Sequence, residues 1–337
     1  MKHRVLGRTG LKVSAVGLGG HEYRRKQFVV NGRFTELDPD RPSLIAEAVQ
    51  GGVNYFDTTF IEECQSLGYS IREGGIDRES IMISGMSIDM LRRIAEIDVS
   101  GWEAFVERER LELLGTDYFD VFHICAIESG YDQTVLDGVL KILARWRDRG
   151  YIRYLGASAH DPDLLSSVIE ERDPFDVVMA PFNFRIGRNE RLLRAIAERN
   201  IGFVVIKPLV WFEYGVSFIH LCRSVIEAWP KSAPSAAQNA LAWLLTQTEV
   251  STIVPSANSL EESKDNIAAV DVATDSIDLE LLEACAALPN RTGEMIELLN
   301  HPFEEVRSYA KQAVVAAVGN DYGFDTERYI DAIGKGG

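Results

Sequence analysis

Long apolar runs are missing from this sequence. No stretch of it approaches the roughly 20 consecutive apolar residues that a membrane-spanning helix requires. Residues 1–10 also lack the apolar core of a secretory signal. We therefore expect a cytoplasmic protein that does not engage a membrane.

Cysteine is scarce as well. The 337 residues include four cysteines, and no two of them form a Cys-x-x-Cys pair. They are Cys64, Cys125, Cys222 and Cys285. This spacing argues against a disulfide scaffold and against a cysteine-rich zinc or iron–sulfur site.

Positive charge is in short supply. Lys and Arg total 35 against 51 Asp and Glu, which gives a formal net charge of −16. A surface this acidic repels phosphate backbones, so we do not expect a nucleic-acid partner. The sequence leaves the oligomeric state open.

A Gly-x-Gly-x-x-Gly motif at the first helix is also absent, which removes the main signature of a Rossmann site. Instead, short apolar runs alternate with amphipathic segments along the chain. Most of these runs are continuously apolar, as in parallel strands that are buried on both faces. We predict strands at Ala15–Leu18, Val53–Asp57, Ile81–Ser84, Phe119–Ile124, Tyr154–Ala157, Val177–Ala180, Phe203–Lys207 and Thr252–Val254.

Helical periodicity follows most of these strands, as in the segment 133–148. Eight strand–helix units in one run favour a (β/α)₈ TIM barrel over an open sheet. We expect the barrel to cover residues 1–275 and a C-terminal helical extension, residues 276–337, to pack on it. Two insertions, 21–39 and 209–233, follow strands and are expected at the mouth of the barrel.

Several motifs occur in a fixed order. They are RVLGRTGLKVS at 4–14, VGLGG at 16–20, GGVNYFDT at 51–58, LGTDYFD at 114–120, GYIRYLG at 150–156 and VPSAN at 254–258. Together they resemble the aldo-keto reductase family over residues 1–270. The resemblance implies a (β/α)₈ barrel with an N-terminal hairpin that plugs its floor, and an oxidoreductase that transfers a nicotinamide hydride to a carbonyl group.

The family's catalytic positions are largely replaced. Its chemistry uses a tyrosine as proton donor, a lysine and an aspartate that tune this tyrosine, and a histidine that orients the carbonyl. The aspartate is present as Asp57, whereas Glu62 stands at the tyrosine position. Met86 stands at the lysine position and Cys125 at the histidine position. We therefore expect weak or no NADPH-dependent reduction of simple aldehydes.

The cofactor positions differ as well. Ala180 replaces a glutamine of the sixth strand, and Ser259 replaces a basic residue that clamps the adenosine 2′-phosphate. A 2′-phosphate needs a cationic partner, so NAD or no nucleotide fits this chain better than NADP. The resemblance implies cofactor contacts from Ser158, Asn183, Pro208, Leu209, Ser256, Asn258 and Asn266.

Polar residues still accumulate where the barrel mouth is expected. They are His21, Glu22, Asp57, Glu62, Glu63, Cys125, Glu128, His160, Asn183 and Lys207. The residues that we interpret as catalytic candidates are Asp57, Glu62, Cys125, His160 and Lys207.

Each candidate also has a structural interpretation. Glu62 is a general acid or base, or a solvated carboxylate. Lys207 is a substrate-activating cation or amine, or one half of an ion pair with Asp57. The soft side chains His123, Cys125 and His160 are more readily explained as core residues than as metal ligands, so no metal is predicted. The aromatic residues Trp211, Phe212 and Tyr214 stack on a substrate or pack locally.

Three functions remain open. The first is an NAD(P)-dependent oxidoreductase that acts on a small carbonyl or sugar-like substrate through a non-standard site. The second is a redox-neutral enzyme, such as a lyase, dehydratase or isomerase, on the same barrel. The third is a non-catalytic binding or regulatory protein.

Overall fold

The computed structural model describes residues 1–20, 29–30, 33–88, 90–125, 132–172, 174–210, 217–230, 234–286, 295–296, 298–300, 307, 310–311, 314–315 and 319–334. Six residues considered at the mouth lie outside the described residues: His21, Glu22, Glu128, Trp211, Phe212 and Tyr214.

A hairpin closes the floor of the molecule. Strands β1 (His3–Val5) and β2 (Lys12–Ser14) pair antiparallel across a 3₁₀ turn at Gly7–Thr9. Leu6 and Val13 are fully buried in one cluster with inward-facing strand residues. Gly7 has φ +48°, and a Cβ there would come 2.2 Å from the backbone nitrogen of Gly202. The turn therefore needs glycine to dock on the start of a barrel strand.

Seven parallel strands form the main sheet in the described part of the chain. In their order along the sheet they are β5 (Tyr55–Thr58), β6 (Met82–Ser87), β7 (Phe119–Ile124), β8 (Ile152–Ser158), β9 (Val177–Pro181), β10 (Gly202–Ile206) and β11 (Thr252–Ile253). A separate two-residue ladder pairs β3 (Val29–Val30) with β4 (Arg33–Phe34).

The segment predicted as the first strand closes this sheet into a barrel. Residues 15–18 do not form a regular strand, but Val16 makes a parallel bridge to Ile253 of β11 and Leu18 makes one to Phe56 of β5. Backbone hydrogen bonds run on both sides, from Gly17 N to Ile253 O (2.8 Å) and from Leu18 N to Tyr55 O (2.9 Å). The predicted (β/α)₈ architecture is therefore confirmed, with an irregular first strand.

Helices cover the outside of the barrel. Those of the βα units are α1 (Arg41–Gln50), α2 (Ile61–Glu73), α3 (Met90–Arg93), α4 (Val99–Val106), α5 (Glu112–Leu114), α6 (Gln133–Asp148), α7 (Pro162–Glu171), α8 (Glu190–Arg199), α9 (Phe218–Leu221), α10 (Arg223–Ala228), α11 (Ala236–Leu245) and α12 (Leu260–Ala268). A π-helical turn, Glu107–Leu111, joins α4 to α5. Within the described residues, no helix is long and apolar enough to span a membrane.

Strand side chains alternate between the barrel interior and the helix layer. Tyr55, Met86 and Val121 belong to the interior cluster. Because successive strand side chains point to opposite faces, residues two positions from these also face inward. Asp57, Ser84 and His123 are such residues, and Cys125 also packs against the interior cluster.

The chain after residue 275 contains α13 (Leu279–Ala286) and α14 (Thr326–Gly334). Leu282 and Cys285 of α13 share an apolar cluster with Ala240 of α11. Asp278 accepts a 2.8 Å hydrogen bond from the indole of Trp229. These contacts tie the start of the tail to the barrel helices, and the division of the chain at residue 275 stays a prediction.

Candidate active site

The predicted site residues gather at one rim of the barrel. Parallel strands all end on the same side, and sites of this fold lie there. Asp57 lies in β5, Cys125 directly follows β7, and Lys207 directly follows β10. Ser158 ends β8, Asn183 follows β9, and Ser256 follows β11. The residues therefore share a rim, although they come from distant parts of the chain.

Asp57 is buried, with 4% of its surface exposed. Its backbone N–H donates to Leu18 O at 3.0 Å, which fixes the strand that carries it. A Cβ at Gly20 would come 2.4 Å from the carbonyl oxygen of Asp57, so the chain passes this residue very closely. Burial, and then the charge of Asp57, raise the pKa of the neighbouring Tyr55 far above its usual value. The Tyr55 phenol therefore stays protonated.

Glu62 and Glu63 open helix α2 and differ in what they do. Glu62 lies half-buried in the first turn. Glu63 is fully buried, and one carboxylate oxygen accepts from Thr59 N (2.5 Å) and Phe60 N (3.3 Å). Glu63 thus caps the helix and holds the loop that leads from Asp57 to Glu62.

Arg110 holds the same loop from its other side. It lies in the π-helical turn and is only 5% exposed. Its Nη1 donates to Thr59 O at 2.7 Å, and its guanidinium lies 5.0 Å from the ring centre of Phe105. Thr59 is therefore bonded through its N–H to Glu63 and through its carbonyl to Arg110.

Replacing Glu63 by Gln is expected to lower the free energy of unfolding by about 1 to 2 kcal/mol. A neutral amide oxygen is a weaker acceptor for the two N–H groups, and the new NH₂ group is buried. Chemical denaturation of the variant measures the loss. Glu62→Gln, on the same helical turn, is the control, with an expected change within about 0.5 kcal/mol. Equal losses in the two variants would contradict the capping role of Glu63.

The three soft side chains near the rim differ in their burial. Cys125 is half-buried and forms no disulfide, His160 is exposed, and His123 is fully buried. Burial lowers the pKa of His123 to about 3. Among the described residues, no group of three or more His, Cys, Asp or Glu side chains could hold a metal ion.

Asn183 and Lys207 belong to one backbone assembly. Asn183 is fully buried, and its Nδ2 donates to the carbonyl oxygens of Lys207 (3.2 Å) and Val210 (2.7 Å). Pro208 and Leu209 form the turn between these two carbonyls. The Asn183 amide is thus bonded to the turn after β10, and its contact to a cofactor stays a prediction.

The eighth strand leads into a helix with an acidic start. Ser259 caps α12 by accepting from Glu262 N at 3.1 Å. The Glu262 carboxylate accepts in turn from Asn258 N at 2.7 Å. Asn266 donates to Ser256 O at 3.1 Å, which closes the loop. A carboxylate of the first helical turn thus binds the backbone N–H of Asn258, the residue before the Ser259 cap.

The sequence does not reveal the roles of three residues that hold the loops of the site. Glu63 was grouped with the mouth carboxylates, although the position of an acidic residue three places after Phe60 fits a helix cap. Arg110 lies in an alternating Glu–Arg run that is typical of a solvated face, and Glu262 lies in an ordinary polar helix start. Only the tertiary contacts reveal what Arg110 does.

Comparisons with known proteins find relatives in one enzyme family. The sequence model of the Aldo/keto reductase family matches residues 38–211, just over half of the chain. L-galactose dehydrogenase of Arabidopsis thaliana is 25% identical over 314 residues, covering 85% of this chain and 93% of that protein. An uncharacterized oxidoreductase, YqkF, of Bacillus subtilis is 24% identical over 307 residues, covering 80% of this chain and 92% of that protein.

Solved structures share the fold. The thermostable aldo-keto reductase Tm1743 superposes with a TM-score of 0.63 at 23% identity, over 86% of this chain and all of that one. The holo form of aldo-keto reductase AKR11C1 from Bacillus halodurans superposes with a TM-score of 0.62 at 20% identity, over 84% of this chain and 96% of that one.

Proposed function

The chain belongs to the aldo/keto reductase family, and from this premise we propose that it is a nicotinamide-dependent oxidoreductase acting on a small sugar-like substrate. Asp57 carries the proposal most directly. It is the retained family position, and it is buried at the rim to which Glu62 and Lys207 also belong. The likeness to L-galactose dehydrogenase supports a hydroxylated substrate.

The replaced residues suit oxidation of a hydroxyl group better than reduction of an aldehyde. A carboxylate at the tyrosine position can serve as a general base for a hydroxyl proton. In this proposal Glu62 accepts the hydroxyl proton of the substrate, and the Lys207 ammonium stabilises the developing alkoxide. A nicotinamide cofactor, when bound, would supply the hydride acceptor for the carbon that bears this hydroxyl group. In the reverse direction Glu62 returns the proton to the oxygen.

The acidic start of α12 supports NAD(H) over NADP(H). Ser259 stands where the family has a basic residue, and both Glu261 and Glu262 lie in the first turn. A 2′-phosphate would meet two carboxylates and no cation of this helix turn, whereas a ribose hydroxyl can donate to a carboxylate.

We expect NADH to bind at least about tenfold more tightly than NADPH. The 2′-phosphate of NADPH would lack a cationic partner and would lie near two carboxylates. Quenching of the five tryptophans on titration measures both affinities. Ser259→Arg combined with Glu262→Gln should narrow the difference, and Glu171→Gln, on the exposed end of α7, is the control. No binding of either nucleotide at millimolar concentration would refute the oxidoreductase and favour a redox-neutral enzyme.

A further inference from the structure

Lys207 has a backbone conformation that its sequence position disfavours. Its φ is +53°, and the only other described non-glycine residue with positive φ is Asn200, at the end of α8. Asparagine tolerates this left-handed region, whereas lysine does so much less readily. Proline follows Lys207, and the residue before a proline is driven towards extended backbone. Two local preferences therefore oppose the observed conformation.

Several hydrogen bonds hold Lys207 in this conformation. Lys207 O accepts from Val210 N at 3.2 Å, which closes a tight turn. The same oxygen accepts from Asn183 Nδ2 at 3.2 Å, and Val210 O accepts from Asn183 Nδ2 at 2.7 Å. The turn is thus bonded at both of its ends to one side chain.

Asn183 is itself held in place. Its Oδ1 accepts from Arg185 N (3.1 Å) and Ile186 N (3.0 Å), so both ends of the amide are bonded. The side chain is fully buried. A buried amide with its hydrogen-bonding groups engaged cannot rotate without breaking several bonds at once.

We propose that Asn183 is a positioning residue that holds Lys207 in its left-handed conformation and so fixes the Lys207 side chain at the rim of the barrel. Glycine would adopt the same φ without strain. A lysine at this position therefore indicates that its side chain is required there, and strained backbone is concentrated at functional sites. The effect on catalysis rests on the proposed function, whereas the positioning itself does not.

Amine labelling tests the positioning without substrate or nucleotide. The folded protein is treated with limiting acetic anhydride, and labelling of each lysine is followed by peptide mass spectrometry. Asn183→Asp keeps the acceptor for Arg185 N and Ile186 N but turns the donor to the carbonyls into a second acceptor. We expect labelling of Lys207 to rise about fivefold because the turn opens locally. Asn183→Ala should act in the same direction.

Two controls accompany this measurement. Lys12 is exposed on the floor hairpin, and its labelling should not change. Asn189→Ala removes another asparagine with backbone and side-chain bonds, at the start of α8, that does not touch Lys207. Unchanged labelling of Lys207 in both folded Asn183 variants would overturn the proposal, as would an equal rise in Asn189→Ala.

A double-mutant cycle tests whether Asn183 acts through Lys207. In the otherwise unchanged enzyme, Asn183→Asp is expected to lower kcat about tenfold, whereas in the Lys207→Ala background it should change kcat less than about twofold. Equal effects in both backgrounds would show that Asn183 acts independently of Lys207. If the unmodified protein shows no nicotinamide-dependent oxidation of sugar-like substrates, the proposed function is refuted. The labelling result then decides the positioning by itself.

Discussion

Between pH 7 and pH 5 the protein is expected to lose about 2 kcal/mol of unfolding free energy through His123 alone. His123 faces the barrel interior and is fully buried. Burial lowers the pKa of its imidazole to about 3, against a backbone contact near Ala157 that acts in the opposite direction. In the unfolded chain the same group has a pKa of about 6.5.

The sign follows from which state binds the proton. Below about pH 6.5 the unfolded chain protonates His123, whereas the native barrel keeps it neutral down to about pH 3. The unfolded state is therefore stabilised relative to the native state as the pH falls, by about 1.4 kcal/mol for each pH unit in this window. Above pH 7 the contribution of His123 to the pH dependence vanishes.

The local packing holds the His123 ring tightly in the barrel interior. A Cβ at Gly156, on the neighbouring strand, would come 2.1 Å from Nδ1 of His123, so the imidazole lies directly against that glycine. Charged His123 would have to be desolvated in this position, and a buried charge is far costlier than a buried neutral ring.

Chemical denaturation at pH 7, 6 and 5 tests this expectation in the unmodified protein and in His123→Gln. The glutamine does not titrate, so its stability should fall less steeply by about 2 kcal/mol over this range. His3→Gln removes an exposed histidine and should leave the slope unchanged. Parallel stability curves for the unmodified protein and His123→Gln would contradict the burial of a neutral His123.

The barrel was predictable because its strands are buried on both faces. Runs such as 203–206 have no polar alternation, and such runs are typical of a parallel sheet that is covered on both faces. The first strand was harder to predict accurately. Residues 15–18 include Gly17, and a Cβ there would come 2.7 Å from Tyr55 O, so this segment approaches its neighbour without regular strand pairing.

The candidate site was predictable only as a set of positions. The GGVNYFDT motif located Asp57 at a strand end, and the apolar run 203–207 did so for Lys207. The parallel topology brings all strand ends to one rim. Burial could not be predicted in this way. His123 and His160 look alike in the sequence, yet one is fully buried and the other is exposed.

Hydrogen-bond partners across loops could not be predicted either. Asn183 and the turn it holds are 24 residues apart in the chain, and Arg110 and Thr59 are 51 residues apart. No local pattern encodes such pairs, because they depend on the register of neighbouring strands. The cap formed by Glu63 is local and leaves a signal, since acceptors at the third helical position are typical of helix starts.

Replacement of Asp57 by Asn is expected to lower the turnover of any reaction at this rim by about 10²- to 10⁴-fold. The reason is electrostatic. Asp57 is a nearly buried carboxylate at the strand end where the family binds the reacting group, and its charge acts there with little screening by water. Asparagine keeps the shape of the side chain and removes the charge.

Measurements of kcat, NADH affinity and stability separate an effect on the chemistry from effects on binding and folding. Asp57→Asn should keep the NADH affinity within about threefold, because the charge acts on the reacting oxygen and not on the adenosine end, so the loss should lie in kcat. Asp161→Asn is the matched control: Asp161 caps α7 at the same rim, is exposed, and should leave kcat unchanged. A redox-neutral reaction at the rim would lose rate in the same way, so this variant tests the site independently of the cofactor. Full activity in Asp57→Asn, with normal binding and stability, would show that the reacting centre does not lie at the end of β5.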